Sequence, residues 1–276
     1  MGEFITMMET EKRNPKTKNI DKATSEEIVA MINEANYESV KAVEAASAEI
    51  ASAIDLVTEA LRNGGRLVYM GAGTSGRLAT ADAAECPPTY GVDYNTVIAV
   101  IAGGEKTLVR AAENQEDSGE SGVEDLKAKN LTGKDVVMGV SASGSAEYVA
   151  RGLEYARSLG CKTIGLASNP DSKMKPYTDV YIYTATGAEV ITGSTRMKAG
   201  NAQKMVMNMI STAAMVKTGK VYENMMINLK PTNKKLRERM IGITMEMTNL
   251  SHGDAEKLLE ENEFSIPKAV ESFKRG

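Results

Sequence analysis

Side chains that commonly do chemistry are scarce in this 276-residue chain, which holds 1 His, 2 Cys and no Trp. A lone His252 excludes a His-rich zinc site and argues against a Ser-His-Asp triad. Cys86 and Cys161 are too few for a disulfide framework and do not form a CxxC pair. Catalysis must therefore lean on carboxylates, hydroxyls, Lys, Tyr or backbone dipoles. No metal and no cofactor is expected.

Three segments join small residues to hydroxyls: Gly71-Ala-Gly-Thr-Ser-Gly76, Ser141-Ala-Ser-Gly-Ser145 and Thr192-Gly-Ser-Thr-Arg-Met-Lys198. A helix N-terminus offers unpaired N–H groups and a positive dipole end, Ser and Thr add donors without bulk, and Gly lets the backbone approach an anion. Each loop alone reads as a tight turn with an N-cap. Three of them at the strand ends or helix starts of one sheet point instead to a phosphate. A dinucleotide is the obvious competitor, since Gly71 to Gly76 fits GxGxxG. The helix start that follows is Arg77-Leu-Ala-Thr, however, and the next apolar run ends in Gly103-Gly104 with no acid to hold a ribose. GxxxxGK[ST] is absent as well, so a sugar phosphate fits better than a nucleotide. The candidate binding residues are Gly73, Thr74, Ser75, Gly76, Ser141, Ser143, Gly144, Ser145, Ser194, Thr195 and Lys198. Glu189, just ahead of the third loop, joins them as a candidate for the cleft.

Among the carboxylates, Glu85 stands directly before Cys86-Pro87-Pro88. Two consecutive prolines are expected to end the helix there and hold Glu85 rigidly at a cleft edge. Asp82, one turn earlier, is either its neighbour or merely solvated. The acidic segment Glu113-Asn-Gln-Glu116-Asp117-Ser118 reads, by composition alone, as a solvated helix end. His252, beside Gly253-Asp254, reads as a helix-cap residue, and Met205, Met207, Met209 and Met215 read as core filling.

These groups need a frame. Residues 1–23 are polar and aperiodic, an extended arm. Thr24 with Glu27 is a capping box, and the helical spacing from Ile28 to Leu61 predicts two helices, the second ending at Gly64-Gly65. Five compact apolar runs follow: Leu67–Met70, Thr96–Ala102, Asp135–Val140, Thr163–Ala167 and Val180–Tyr183. Separated by helical segments, they predict a parallel α/β sheet with helices on both faces, its ligand lying beyond the carboxyl ends of the strands. A Met- and Ala-rich helix is expected from Thr195 to about Lys217. After the composition shift at Asn228-Leu-Lys-Pro-Thr-Asn233, three short amphipathic helices (236–247, 252–260 and 265–273) predict a small helical C-terminal domain. The expected division is an arm over 1–23, a sugar-phosphate domain with its leading helices over 24–227, and a helical domain over 228–276.

The formal net charge is −4, so there is no basic field to hold nucleic acid. No run of ~18 apolar residues exists to span a membrane, and Met1 to Asn14 lacks the apolar core of a signal peptide. The expectation is a cytoplasmic protein.

Taken together, Gly71-Ala-Gly-Thr-Ser-Gly-Arg77, Asp82-Ala-Ala-Glu-Cys-Pro-Pro-Thr89 and Gly193-Ser-Thr-Arg-Met-Lys-Ala-Gly200 closely resemble the N-acetylmuramic acid 6-phosphate etherases, which carry a sugar-isomerase (SIS) phosphosugar-binding domain. The resemblance runs from about Glu11 through the C-terminal helices. It implies cleavage of the D-lactyl ether of N-acetylmuramic acid 6-phosphate to N-acetylglucosamine 6-phosphate and D-lactate, in cell-wall amino sugar catabolism. It also implies that the catalytic glutamates are Glu85 and Glu116, with Glu85 as the acid at the lactyl oxygen and Glu116 handling the C2 proton. Cys86 is then expected to serve packing. SIS domains usually pair with sites near the interface, which implies a homodimer. The chain departs from the family pattern at Ser145-Ala146-Glu147, where a basic residue and a threonine are usual. Either Ser145 replaces the lost hydroxyl, or Glu147 favours the helix dipole and points away. A non-catalytic phosphosugar sensor and an aldose–ketose isomerase are the competing readings. Neither calls for both glutamates within the Glu85-to-Thr89 and Glu113-to-Asp117 strings.

Overall fold

The computed structural model describes residues 8–110, 114–231 and 233–275. All five apolar runs are strands: β1 (Leu67–Gly71), β2 (Val97–Ile101), β3 (Val136–Val140), β4 (Lys162–Ala167) and β5 (Val180–Tyr183). They form one parallel sheet in the order β2-β1-β3-β4-β5, with Leu67 in register with both Val97 and Val136. Unbroken apolar runs suit this sheet because both of its faces are covered. Leu67 and Tyr69 point into a core shared with Val57, Ala79, Ala83, Val206 and Ile210, whereas Val68 and Met70 point into one with Leu126, Val149 and Leu153.

The helices sort accordingly. α1 (Ser25–Ala45) opens with the expected capping box, Thr24 and Glu27 bonding reciprocally. The chain breaks at Ala46, and α2 (Ser47–Arg62) ends before Gly64, at φ 75°. After β1 comes α3 (Gly73–Tyr90), then β2 and the one-turn α4 (Lys106–Val109). α5 (Gly119–Lys127) precedes β3, and α6 (Glu147–Ser158) follows it. After β5 comes α7 (Lys198–Lys217), which starts three residues later than expected because Thr195, Arg196 and Met197 remain in the loop. α2, α3 and α7 cover one face, and α5 and α6 the other. The chain thus leaves neighbouring β1 and β3 toward opposite faces, opening a crevice between their carboxyl ends. Parallel sheets bind ligands at such a point.

Two expectations are corrected. α3 does not stop at Glu85; it runs through Pro87 and Pro88 to Tyr90 and ends at Gly91, whose φ is 65°. An interior proline costs a helix about 3 kcal/mol, and here packing of Ala79, Ala83, Cys86 and Tyr90 into the core offsets it. The arm is not extended either. From Met8 it coils through three short 3-10 turns and is tied down across the sheet: Glu9 N–H donates to Asn169 Oδ1 (2.7 Å) and Thr17 Oγ1 to the Val190 carbonyl (2.7 Å). Such long-range polar ties leave no periodic trace in sequence.

Beyond α7 a two-residue hairpin, β6 (Val221–Tyr222) and β7 (Met225–Met226), escapes sequence reading because its turn at Glu223-Asn224 lacks the usual glycine. α8 (Lys234–Thr248), α9 (His252–Glu261) and α10 (Ile266–Arg275) then gather a separate apolar cluster around Met240, Ile241, Leu259 and Ile266. The α9 cap is Ser251, which accepts the Asp254 N–H; His252 is the first helical residue and faces Glu238 at 3.1 Å. No helix of the described residues is long and apolar enough to cross a membrane.

Candidate active site

The loop after β1 enters α3 with Gly73 at φ 53°, leaving the N–H groups of Gly73, Thr74 and Ser75 in a first turn that has no intrahelical partner for them. An 18-residue helix brings its positive dipole end to this point. Ser75 is buried, and its hydroxyl donates to Gln203 Oε1 of α7 at 3.0 Å. Gly76 lies against Ile101 of β2, where a Cβ would approach a side-chain carbon to 2.5 Å.

After β3, Ser141 Oγ accepts the Gly144 N–H (3.1 Å), and Ser143 Oγ accepts the Ser145 N–H (3.2 Å) while sharing a hydrogen bond with Ser145 Oγ (2.8 Å). The hydroxyls thus fold the loop into a small ring. Gly144 is required here: its φ is 73°, and a Cβ would meet Ser172 Oγ at 2.5 Å. Ser145 stands inside the ring. Glu147, the residue that departs from the family pattern, pairs with Lys173 at 2.5 Å, so its charge is neutralised beside the loop.

The third loop meets the first through the helices. Gly200 of α7 faces Thr74, with a Cβ 3.7 Å from Cγ2. Ser194 and Thr195 are half-buried in this loop. Glu189 and Lys198 are occupied internally. The buried Glu189 carboxylate accepts the N–H groups of Lys198 (2.9 Å) and Ala199 (3.0 Å), capping α7. Burial pushes its pKa up against those hydrogen bonds. Lys198 Nζ donates to Glu38 (2.5 Å) and to the Ala188 carbonyl (2.9 Å).

The two glutamates lie apart. Glu116 sits in the 3-10 turn Gln115–Asp117, whose Gln115 side chain lies against Gly103 just beyond β2, at the carboxyl edge of the sheet. Glu113 falls outside the described residues. Although Glu116 is exposed as a residue, burial of its carboxyl and then the Asp117 charge push its pKa above the ordinary value. Glu85 is exposed on α3, twelve residues beyond Gly73, or about 18 Å along the axis. Among the described residues, neither carboxylate has a hydrogen bond or ion pair in the chain. Cys86 is buried, and burial, then the Asp82 and Glu85 charges, push its thiol up to about 12. It is no nucleophile at neutral pH.

Two polar residues of this region are not as the sequence alone suggests. Asp82 is neither solvated nor paired with Glu85 but turned inward and buried. Gln203 is marked in the sequence only as a lone amide within a Met- and Ala-rich helix; it is buried, and its Nε2 has no partner among the described residues.

Comparison with known proteins agrees with this geometry. Residues 49–157 match the glucokinase regulatory protein N-terminal SIS domain, and residues 116–213 the SIS domain. A phosphoheptose isomerase from Francisella tularensis shares the fold with a TM-score of 0.54 at 17% identity, over 70% of this chain and 98% of that one. A phosphoheptose isomerase from Neisseria gonorrhoeae gives 0.51 at 18%, over 70% and 97%. Sequence relatives are nearer. An N-acetylmuramic acid 6-phosphate etherase of Clostridium botulinum is 50% identical over 95% of this chain and 86% of its own length. One of Salmonella agona is 46% identical over 95% and 88%. With half its residues shared along nearly its whole length, and with SIS architecture around the three loops, the chain belongs to the N-acetylmuramic acid 6-phosphate etherase family.

Proposed function

We propose that the chain cleaves the D-lactyl ether of N-acetylmuramic acid 6-phosphate, yielding N-acetylglucosamine 6-phosphate and D-lactate. The observation that carries this reading is the conjunction of a hydroxyl-lined crevice with two carboxylates that make no bond of their own among the described residues. Phosphate suits the first turn of α3 and the hydroxyls of Ser143, Ser145, Ser194 and Thr195. Glu189 and Lys198 support the site by fixing the start of α7.

An unactivated ether resists direct hydrolysis, so the reaction proceeds through the open-chain sugar. There the C2 proton is acidified by the C1 aldehyde. Glu116 takes that proton, Glu85 protonates the departing lactyl oxygen on C3, and the C2–C3 double bond forms as D-lactate leaves. Water then adds to C3 of the enal and a proton returns to C2, restoring the saturated sugar. The upward shift at Glu116 makes its carboxylate a stronger base.

We further read the working form as a homodimer in the cytoplasm. An exposed apolar stripe on α1 (Val29, Tyr37, Val40) continues into Met209 and Val216 of α7, and a second copy would cover it. The free thiols of Cys86 and Cys161 suit a reducing compartment. The chemistry belongs to residues 24–227, and residues 228–276 form a helical domain with a core of its own.

Incubation with N-acetylmuramic acid 6-phosphate should release D-lactate in equimolar amount with N-acetylglucosamine 6-phosphate. Glu85→Gln and Glu116→Gln should each lower kcat by about 100-fold or more while the sugar phosphate still binds. Binding without lactate release by the unaltered chain would overturn the proposal in favour of a sensor.

A further inference from the structure

Pro87 and Pro88 have no N–H, so the helical bonds that would return to Ala83 and Ala84, and would span Glu85, cannot form. The turn that carries Glu85 is therefore short of internal ties, although its carboxylate must be placed to within a fraction of an ångström. One turn earlier, at i−3, lies the buried carboxylate of Asp82, whose hydrogen bonds go to other elements. Asp82 Oδ2 accepts the Tyr69 hydroxyl of β1 at 2.8 Å, and Oδ1 accepts the Ser211 hydroxyl at 3.1 Å and the Asn208 amide, both of α7. On the far side of the prolines, the Tyr90 hydroxyl bonds to Thr212 Oγ1 of α7 at 3.1 Å. Glu85 is thus bracketed by two side-chain ties to a single segment of α7, residues 208–212.

We propose that Asp82 is the positioning residue for Glu85: its carboxylate joins β1, α3 and α7 at one point and replaces the backbone bonds that the prolines remove. A buried carboxylate is costly unless its oxygens are satisfied, and three donors from two neighbouring elements satisfy these. Tyr69 is held neutral by its burial and by Asp82, so it remains a donor across the working pH range. An apolar contact could press α3 against α7, but it would not fix its rotation. Three directional bonds do, and rotation of α3 is what aims Glu85.

This inference rests on the proposed role of Glu85, and the experiment separates the two. Lactate release would be measured for Asp82→Asn, Asn208→Asp, the double exchange, and Tyr69→Phe, with Glu85→Gln alongside. Asp82→Asn should lower kcat by about 10- to 100-fold, the scale of an ångström-sized misplacement, with KM changed less than about 2-fold. Tyr69→Phe removes one donor and leaves the carboxylate in place. It should give a smaller loss in the same kcat-only pattern, and serves if Asp82→Asn fails to fold. The double exchange restores a carboxylate–amide pair with reversed direction, and should recover at least about 10-fold over Asp82→Asn. Unchanged kcat in both Asp82→Asn and Tyr69→Phe, with Glu85→Gln inactive, overturns the brace alone. Full activity of Glu85→Gln overturns the catalytic reading on which it rests.

Discussion

A carboxylate that abstracts a carbon-bound proton must be ionised yet basic, and the raised pKa of Glu116 suits the base role proposed for it. Burial of the carboxyl is the larger cause and Asp117 the second. Since the pKa is raised, the ionised form is lost as pH falls through a value above the group's ordinary one. The acid limb of kcat/KM should therefore lie above pH 4.5. Asp117→Asn removes the like charge while leaving the burial, so the limb should move to lower pH. A pH–rate series on the two proteins checks this, and a limb that stays in place or moves up would show that Asp117 does not act on the base. Identity and environment were unequally legible at this scale. The strings around Glu85 and Glu116 are continuous in sequence and could be read directly. The partner of Glu147 could not, because Lys173 lies 26 residues away across a loop. Nor could the inward turn of Asp82, whose donors come from positions 69, 208 and 211.

At the scale of elements, the strands were legible because burial on both faces writes them as unbroken apolar runs, and the first helices because their caps are local. What joins the elements is not local. At the amino end of the sheet, Arg66 donates from its backbone N–H and Nε to Asp135 Oδ1 (2.9 and 3.0 Å) and from Nη2 to Oδ2 (2.8 Å), pinning β1 to β3. Burial alone would raise the Asp135 pKa. The bonds from Arg66 and the Thr132 N–H outweigh it, so the carboxyl is held below its ordinary value. A depressed pKa contributes stability at neutral pH that is lost as pH falls through the folded-state value. Asp135→Asn should therefore cost about 3 kcal/mol at pH 7, the scale of a broken buried pair. The gap between variant and parent in urea unfolding should narrow below about pH 4. A gap that is constant with pH would mean that the ionised form contributes nothing. The continuation of α3 through Pro87 and Pro88 belongs to this scale too. Local propensity ends the helix at Glu85, and core packing of Cys86 and Tyr90 carries it on.

For the whole molecule, the distance between the loops and Glu85 is the decisive quantity. Elimination needs one carboxylate at C2 and another at the oxygen on C3, neighbouring atoms of one sugar. A site whose phosphate lies at the first turn of α3 and whose base lies at the carboxyl edge of the sheet is about 18 Å from the Glu85 of the same helix. The proposed two-fold partner removes the difficulty, because Asn208 and Thr212 of α7, which bond Asp82 and Tyr90 of α3, line the same groove as the exposed Val40, Met209 and Val216 that a second copy would cover. Each site would then take Glu116 and the phosphate loops from one chain and Glu85 from its partner. Mixed dimers distinguish this from a site within one chain. Glu85→Gln and Glu116→Gln should each be nearly inactive alone, but on this arrangement a dimer of one with the other holds one site with both glutamates intact and one with neither. Random pairing of equal amounts makes half the dimers mixed, so activity should return to about a quarter of the parent value. Differently tagged chains, co-purified, would prove that exchange has taken place. Mixed dimers without recovered lactate release would place both glutamates in one chain. Met209→Glu, by putting a charge in the apolar strip, should shift the protein toward monomer in sedimentation and lower activity most at low protein concentration, where a site built from two chains is lost first.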